Sequence, residues 1–231
     1  MDEAEFDRFA AEYRSMHRAN IAITGEDPDY FAEYKIRDLA AEWNRLQPSV
    51  KAPRILDFGA GVGASVPFVG KHLPAAELTC LDVSRKSLEL GQSRFPGEAK
   101  FQLFDGVEIP FADASFDLVF AACVFHHIDP DEHTHLFREF RRVLLSGGLA
   151  MVYEHNPYHP LTRRAVHTCP FDENAQLIRS ADMCNRLAQA GFASTAVKYR
   201  VFFPHALRAL RVAESWLRWL PLGAQYYVLA M

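Results

Sequence analysis

The chain has 231 residues, 49% hydrophobic and 23% charged, with a formal charge of −4. That length holds one large α/β domain with a sizeable core, and the acidic balance leans against nucleic acid as a partner. No apolar run spans a bilayer, the acidic start (Asp2, Glu3, Glu5, Asp7) is unlike a secretory signal, and four dispersed cysteines without a CxxC predict free thiols, no metal and a cytoplasmic location.

Phe6, Phe9, Ala10, Tyr13 and Met16 recur at helical spacing over residues 2 to about 18, and Gly25 breaks the pattern. Asp27-Pro28 then reads as an N-cap and a first-turn proline, opening a second helix that carries Phe31, Tyr34, Leu39, Trp43 and Leu46 toward Pro48. Residues 1–48 form an N-terminal helical extension, either a cap packed on the domain or a lid over its site. Residues 49–231 form the main domain.

From Arg54 the pattern alternates strand and helix, which predicts a parallel sheet with helices on both faces. Strands are expected at about 54–58, 77–82, 100–103, 116–122, 149–153, 195–203 and 225–230. Helices are expected at about 62–72, 84–94 with Ser84 as N-cap, 130–145 ended by Gly147-Gly148, and 181–190. His205 to Leu220 reads as an amphipathic helix, with Arg208, Arg211, Glu214 and Arg218 on one arc and Leu210, Ala213, Leu217 and Leu220 on the other. A solvated helix packed on the sheet is preferred there over a membrane-surface helix.

Everything in this layout converges on Ile55-Leu-Asp-Phe-Gly-Ala-Gly-Val-Gly63, a buried strand running into a glycine turn. Glycines let backbone approach a ligand closely, and a helix start favours an anionic group. Gly59-x-Gly61-x-x-Ala64 fits a dinucleotide fingerprint only loosely. Asp57 beneath the turn would repel a pyrophosphate but suits an ammonium group or a hydrogen-bond network. Asp82 closes the second strand, placed to accept from a ribose diol, and Asp105-Gly106 follows the third, near an adenine amino group or as a self-bonded turn. Carboxylates at successive strand ends fit S-adenosylmethionine (SAM), which has a cationic end and no pyrophosphate.

These stretches resemble class I SAM-dependent methyltransferases. Residues 55–63 are similar to that family's first motif, Cys80-Leu-Asp-Val-Ser84 to its ribose motif, and Phe104-Asp-Gly106 to its adenine motif. Ser115-Phe-Asp-Leu-Val119 with Phe125-His-His-Ile128, and Phe140 to Leu149, resemble the next two segments in order. The resemblance implies a Rossmann-like seven-stranded sheet, mostly parallel with an antiparallel last strand. It also implies cofactor contacts at Asp57, Gly59, Ala60, Gly61, Asp82, Val83, Asp105 and Gly106, and at the end of the fourth strand at Ala121 or its neighbour Ala122.

Methyl transfer is an in-line displacement that needs alignment, and a base only where the acceptor must lose a proton. His155 after the fifth strand is the first candidate base; His126 is a second, with a positional role the stronger reading for it. An insertion around 155–178, with Arg163 and Arg164, is expected on the acceptor side, where the arginines either read an acidic acceptor or are solvated. The reading is a SAM-dependent methyltransferase of a small molecule. Alternatives are an RNA or protein methyltransferase, an NAD(P)-dependent oxidoreductase disfavoured by Asp57, and a non-catalytic SAM-binding protein.

Overall fold

A computed structural model describes residue 21 and residues 24–169 and 172–231. The helix expected over residues 2–18 lies outside them.

The described elements are α1 (Pro28–Leu46), β1 (Arg54–Phe58), α2 (Val66–His72), β2 (Glu77–Asp82), α3 (Arg85–Arg94), β3 (Lys100–Leu103) and β4 (Phe116–Ala122). A 3₁₀ turn (Phe125–His127), α4 (His133–Val143), β5 (Leu144–His155), α5 (Pro160–Thr168), α6 (Ser180–Gln189) and β6 (Thr195–Arg200) follow. A 3₁₀ segment (His205–Ala213), α7 (Glu214–Leu217) and β7 (Gln225–Ala230) close the chain. The seven strands order as β3-β2-β1-β4-β5-β7-β6. β7 runs antiparallel to both β5 and β6, and the other pairings are parallel.

The central strands are apolar on both sides because helices cover both faces of the sheet. Leu56, Phe58, Val119 and Ala121 point into one core with Phe137 and Phe140 of α4. Ile55, Leu118, Phe120 and Met151 point into the other, beneath Tyr34, Leu39 and Trp43 of α1. Asp27 caps α1 by accepting from the Asp29 N–H, and Ser84 caps α3 by accepting from Ser87.

Three expected elements differ. Residues 61–65 form turns, so α2 starts only at Val66. The Gly147-Gly148 pair does not end a helix: α4 stops at Val143 and β5 begins at once, its register to β4 slipping between Phe116 and Leu118. Glycine fits that slip because a Cβ at Gly148 would lie 2.9 Å from the Leu145 carbonyl oxygen and 3.0 Å from that of Asp117. The region 205–220 is not a packed amphipathic helix. The Glu214 carboxylate accepts from the Phe202 and Phe203 N–H groups, and Arg211 donates to the Phe203 carbonyl. These side chains tie the segment to its own approach, and Leu210, expected to be buried, is 48% exposed.

Candidate active site

A cavity of about 530 Å³ opens at the carboxyl ends of β1, β2 and β4. It runs from the glycine turn to the inner face of α1. Asp57, Gly59, Ala60, Gly61, Asp82 and Val83 all line it.

The turn is tied to the end of β2: the Gly59 and Ala60 N–H groups donate to the Leu81 carbonyl at 2.8 and 3.1 Å, and the Gly61 N–H donates to Asp82 Oδ2 at 2.7 Å. Asp82 Oδ1 accepts from the Ser84 N–H at 2.8 Å, so the carboxylate is held at the cavity wall by backbone on both sides. Gly59 has φ +72°, and a Cβ there would fall 2.5 Å from a Val124 methyl. Only glycine fits.

Asp57 sits beneath the turn, 4% exposed, and accepts from the Ser65 hydroxyl. Burial pushes its carboxyl up to about 7, with the neighbouring Asp82 charge adding to the effect and the Ser65 hydrogen bond and Lys35 opposing it. The carboxylate is thus costly to ionise until a cation arrives.

Beyond the turn the lining becomes apolar, with Phe31 and Ile36 from α1, Phe68 from α2, and Phe120 from β4. Cys123 follows β4 with φ +60°. The Lys35 Nζ lies 3.2 Å from its Sγ. Burial alone would raise that thiol, but the Lys35 and His155 charges and a His155 hydrogen bond bring it down to about 7. Sequence reading takes Cys123 as a buried free thiol and does not single out Lys35. The only available signal is a lone lysine between Tyr34 and Ile36 on an otherwise buried stripe.

Several expected site residues lie elsewhere. Ala121 is fully buried on the opposite face, because successive side chains of a strand alternate; Ala122 lines the cavity instead. Asp105 and Gly106 do not line it: Asp105 Oδ1 accepts from the Val107 and Glu108 N–H groups at 2.8 and 3.1 Å, closing its own turn, while Phe104 faces the cavity. His155 is also absent from the lining, its Nδ1 3.3 Å from the Gln225 side-chain nitrogen. Arg163, Arg164 and His167 line a separate surface depression.

His126 is buried behind the wall. Its Nδ1 donates to Glu154 Oε2 at 2.7 Å, and its Nε2 faces Asp172 Oδ1 at 3.7 Å. Burial disfavours its charge, but Glu154 and Asp172 overcome that and raise it to about 10. Paired with Glu154 and facing Asp172 behind the wall, the ring is poorly placed to take a proton from an acceptor in the cavity. His127, which does line the cavity, is lowered to about 3 by burial and by the His126 charge. His126, His127 and Asp172 each place one donor atom within 4.8 Å of the others. That is the spread of a small cation site, yet the imidazolium already balances a carboxylate there.

The segment that builds this glycine turn, Asp57 and Asp82 lies within residues 56–152, which match the methyltransferase domain family. The chain belongs to the class I SAM-dependent methyltransferase superfamily. SAM is the cofactor of this fold. The domain is 30% identical over 159 residues to a demethylmenaquinone methyltransferase of Thermotoga maritima, covering 69% of this chain and 62% of that one. It is 37% identical to an O-methyltransferase of Aspergillus nomiae, over 48% and 50% of the two chains. A solved SAM-dependent methyltransferase of Thermotoga maritima, described as a possible histamine N-methyltransferase, shares the methyltransferase fold. Its TM-score is 0.67 at 17% identity, with 99% of this chain and 98% of that chain covered. The chain spans less than two thirds of the length of the curated relatives it matches first. Among the described residues, no helix is long and apolar enough to cross a membrane.

Proposed function

We propose that this methyltransferase transfers the methyl group of SAM to an apolar small molecule. The observation that carries the reading is the continuity of one cavity, polar at the glycine turn and Asp82, and apolar from Phe120 to Phe31. In this reading Asp82 accepts from the ribose hydroxyls and Asp57 faces the α-ammonium. The glycine turn lets the cofactor lie against the backbone between them.

The methyl group then points toward the apolar half, near Ala122 and Cys123. The leaving group is a neutral thioether, so no general acid is required, and alignment supplies much of the acceleration. The cavity-lining His127 is too weakly basic to act as a base, and His126 lies behind the wall, paired with Glu154. The wall serves to position. Within the 1–48 extension of the 49–231 domain, α1 supplies one wall of the acceptor side through Pro28, Phe31 and Lys35.

Calorimetry with SAM and with NAD tests the cofactor half. SAM is expected to bind and NAD to show no heat. Replacing Asp82 by Ala removes hydrogen bonds to a charged acceptor worth about 1.5–3 kcal/mol each, so affinity should fall on the order of 100-fold. Tight NAD binding, or an unchanged SAM affinity in the variant, would overturn the assignment.

A further inference from the structure

Ten large hydrophobic side chains are strongly exposed among the described residues, and six of them belong to the 16-residue stretch 207–222. Val212, Trp216 and Trp219 are 82%, 78% and 74% exposed, at the i, i+4 and i+7 spacing that puts side chains on one side of a helical path. Leu207, Leu210 and Leu222 are exposed in the same stretch. Residues 205–213 bury no side chain, so no packing among the described residues explains this composition.

Within the stretch the exposed charge is basic: Arg208 is exposed and Arg218 is partly exposed 3.9 Å from the buried Asp38, while Arg211 and His205 pair with Glu26. The one acid in the stretch, Glu214, is turned inward, with its Oε2 3.5 Å from the Arg200 guanidinium. A basic, tryptophan-bearing face therefore stands on a protein of net charge −4. It also packs against the segment that opens α1, which lines the cavity. The Arg211 guanidinium donates to Glu26 at 2.6 Å and lies 4.6 Å from the Tyr30 ring centroid, beside the cavity-lining Pro28, Asp29 and Phe31.

We propose that residues 205–222 form a docking face for an anionic lipid bilayer. Tryptophan rings favour the headgroup level, where one edge is apolar and the indole N–H is wet. Surface segments that combine Trp and Leu with Arg bind through buried apolar area plus attraction to anionic headgroups. A symmetric dimer through this face would instead set the same arginines against one another. Docked in this way, the protein turns the approach to its cavity toward the lipid phase. The surface assignment does not depend on which acceptor is methylated.

Sedimentation of the full chain with phosphatidylcholine vesicles, with and without phosphatidylglycerol, tests the proposal. Two of the three tryptophans lie on the face and the third, Trp43, is buried, so emission should shift to the blue on binding. Binding is expected only with phosphatidylglycerol and should weaken in salt. The double variant Trp216→Ser, Trp219→Ser should lose at least roughly tenfold in partitioning while keeping its thermal midpoint and SAM affinity. No sedimentation with anionic vesicles, equal partitioning of the variant, or a wild-type dimer that the variant converts to monomer would overturn it.

Discussion

Replacing Asp57 by Asn tests the electrostatics of the cofactor half directly. Asp57 is 4% exposed, and burial raises its carboxyl from 3.8 to about 7. Each unit corresponds to about 1.4 kcal/mol, so holding this group ionised in the empty protein costs up to roughly 4 kcal/mol. Water entry and local relaxation make that an upper bound. Because the folded-state value lies above the unfolded one, the native protein binds the extra proton, and stability falls as pH rises from about 4 to about 7 before levelling. Asparagine can still accept from the Ser65 hydroxyl and carries no charge. The variant should therefore unfold at higher urea than the parent at pH 8, and the gap should close near pH 4. Cofactor binding should respond in the opposite sense. Between pH 5.5 and pH 7 the parent passes from nearly all protonated to half ionised, and its affinity for SAM should rise on the order of tenfold. The variant should bind more weakly and without that dependence. Urea titrations and calorimetry at matched pH supply both readings. A variant less stable than the parent at pH 8, or a parent whose SAM affinity is flat across the window, would refute the reasoning.

Cys123 should react with iodoacetamide with a midpoint near pH 7, and Lys35→Met should move that midpoint toward about 8.5; saturating SAM should slow the reaction, and a parent midpoint already at the ordinary value would contradict the Lys35 contact. Gly59→Ala must force a Cβ to 2.5 Å from a Val124 methyl at φ +72°, so thermal melts should show a loss of about 2–4 kcal/mol together with loss of SAM binding. Parent-like melting would mean that the turn is looser than described. Glu154→Gln leaves the His126 imidazolium without its main partner in a fully buried site, and urea unfolding at pH 7 should register a loss of about 3–5 kcal/mol. A change within about 0.5 kcal/mol would show that Asp172 alone holds the ring.

Much of this protein is written in local patterns. The strands β1, β2, β3, β4 and β7 follow from short apolar runs closed by turn residues, and the caps at Asp27 and Ser84 from side chains that accept backbone N–H groups. Asp57 and Asp82 reach the cavity because a residue at a strand's carboxyl end has only one place to be in a parallel sheet. Three-dimensional arrangement decided the rest. The choice between Ala121 and Ala122 turns on which face each residue of β4 presents, and one step reverses it. His126 looked available until Glu154 and Asp172, 28 and 46 positions away, closed on its ring. Cys123 acquired its character from Lys35, 88 residues earlier. The stretch 205–220 has the periodicity of an amphipathic helix, yet Val212, Trp216 and Trp219 cover no surface among the described residues. Sequence periodicity specifies which side chains share a face. What meets that face depends on contacts distant in the chain, and those set the charge states, the cavity walls and the exposed patch.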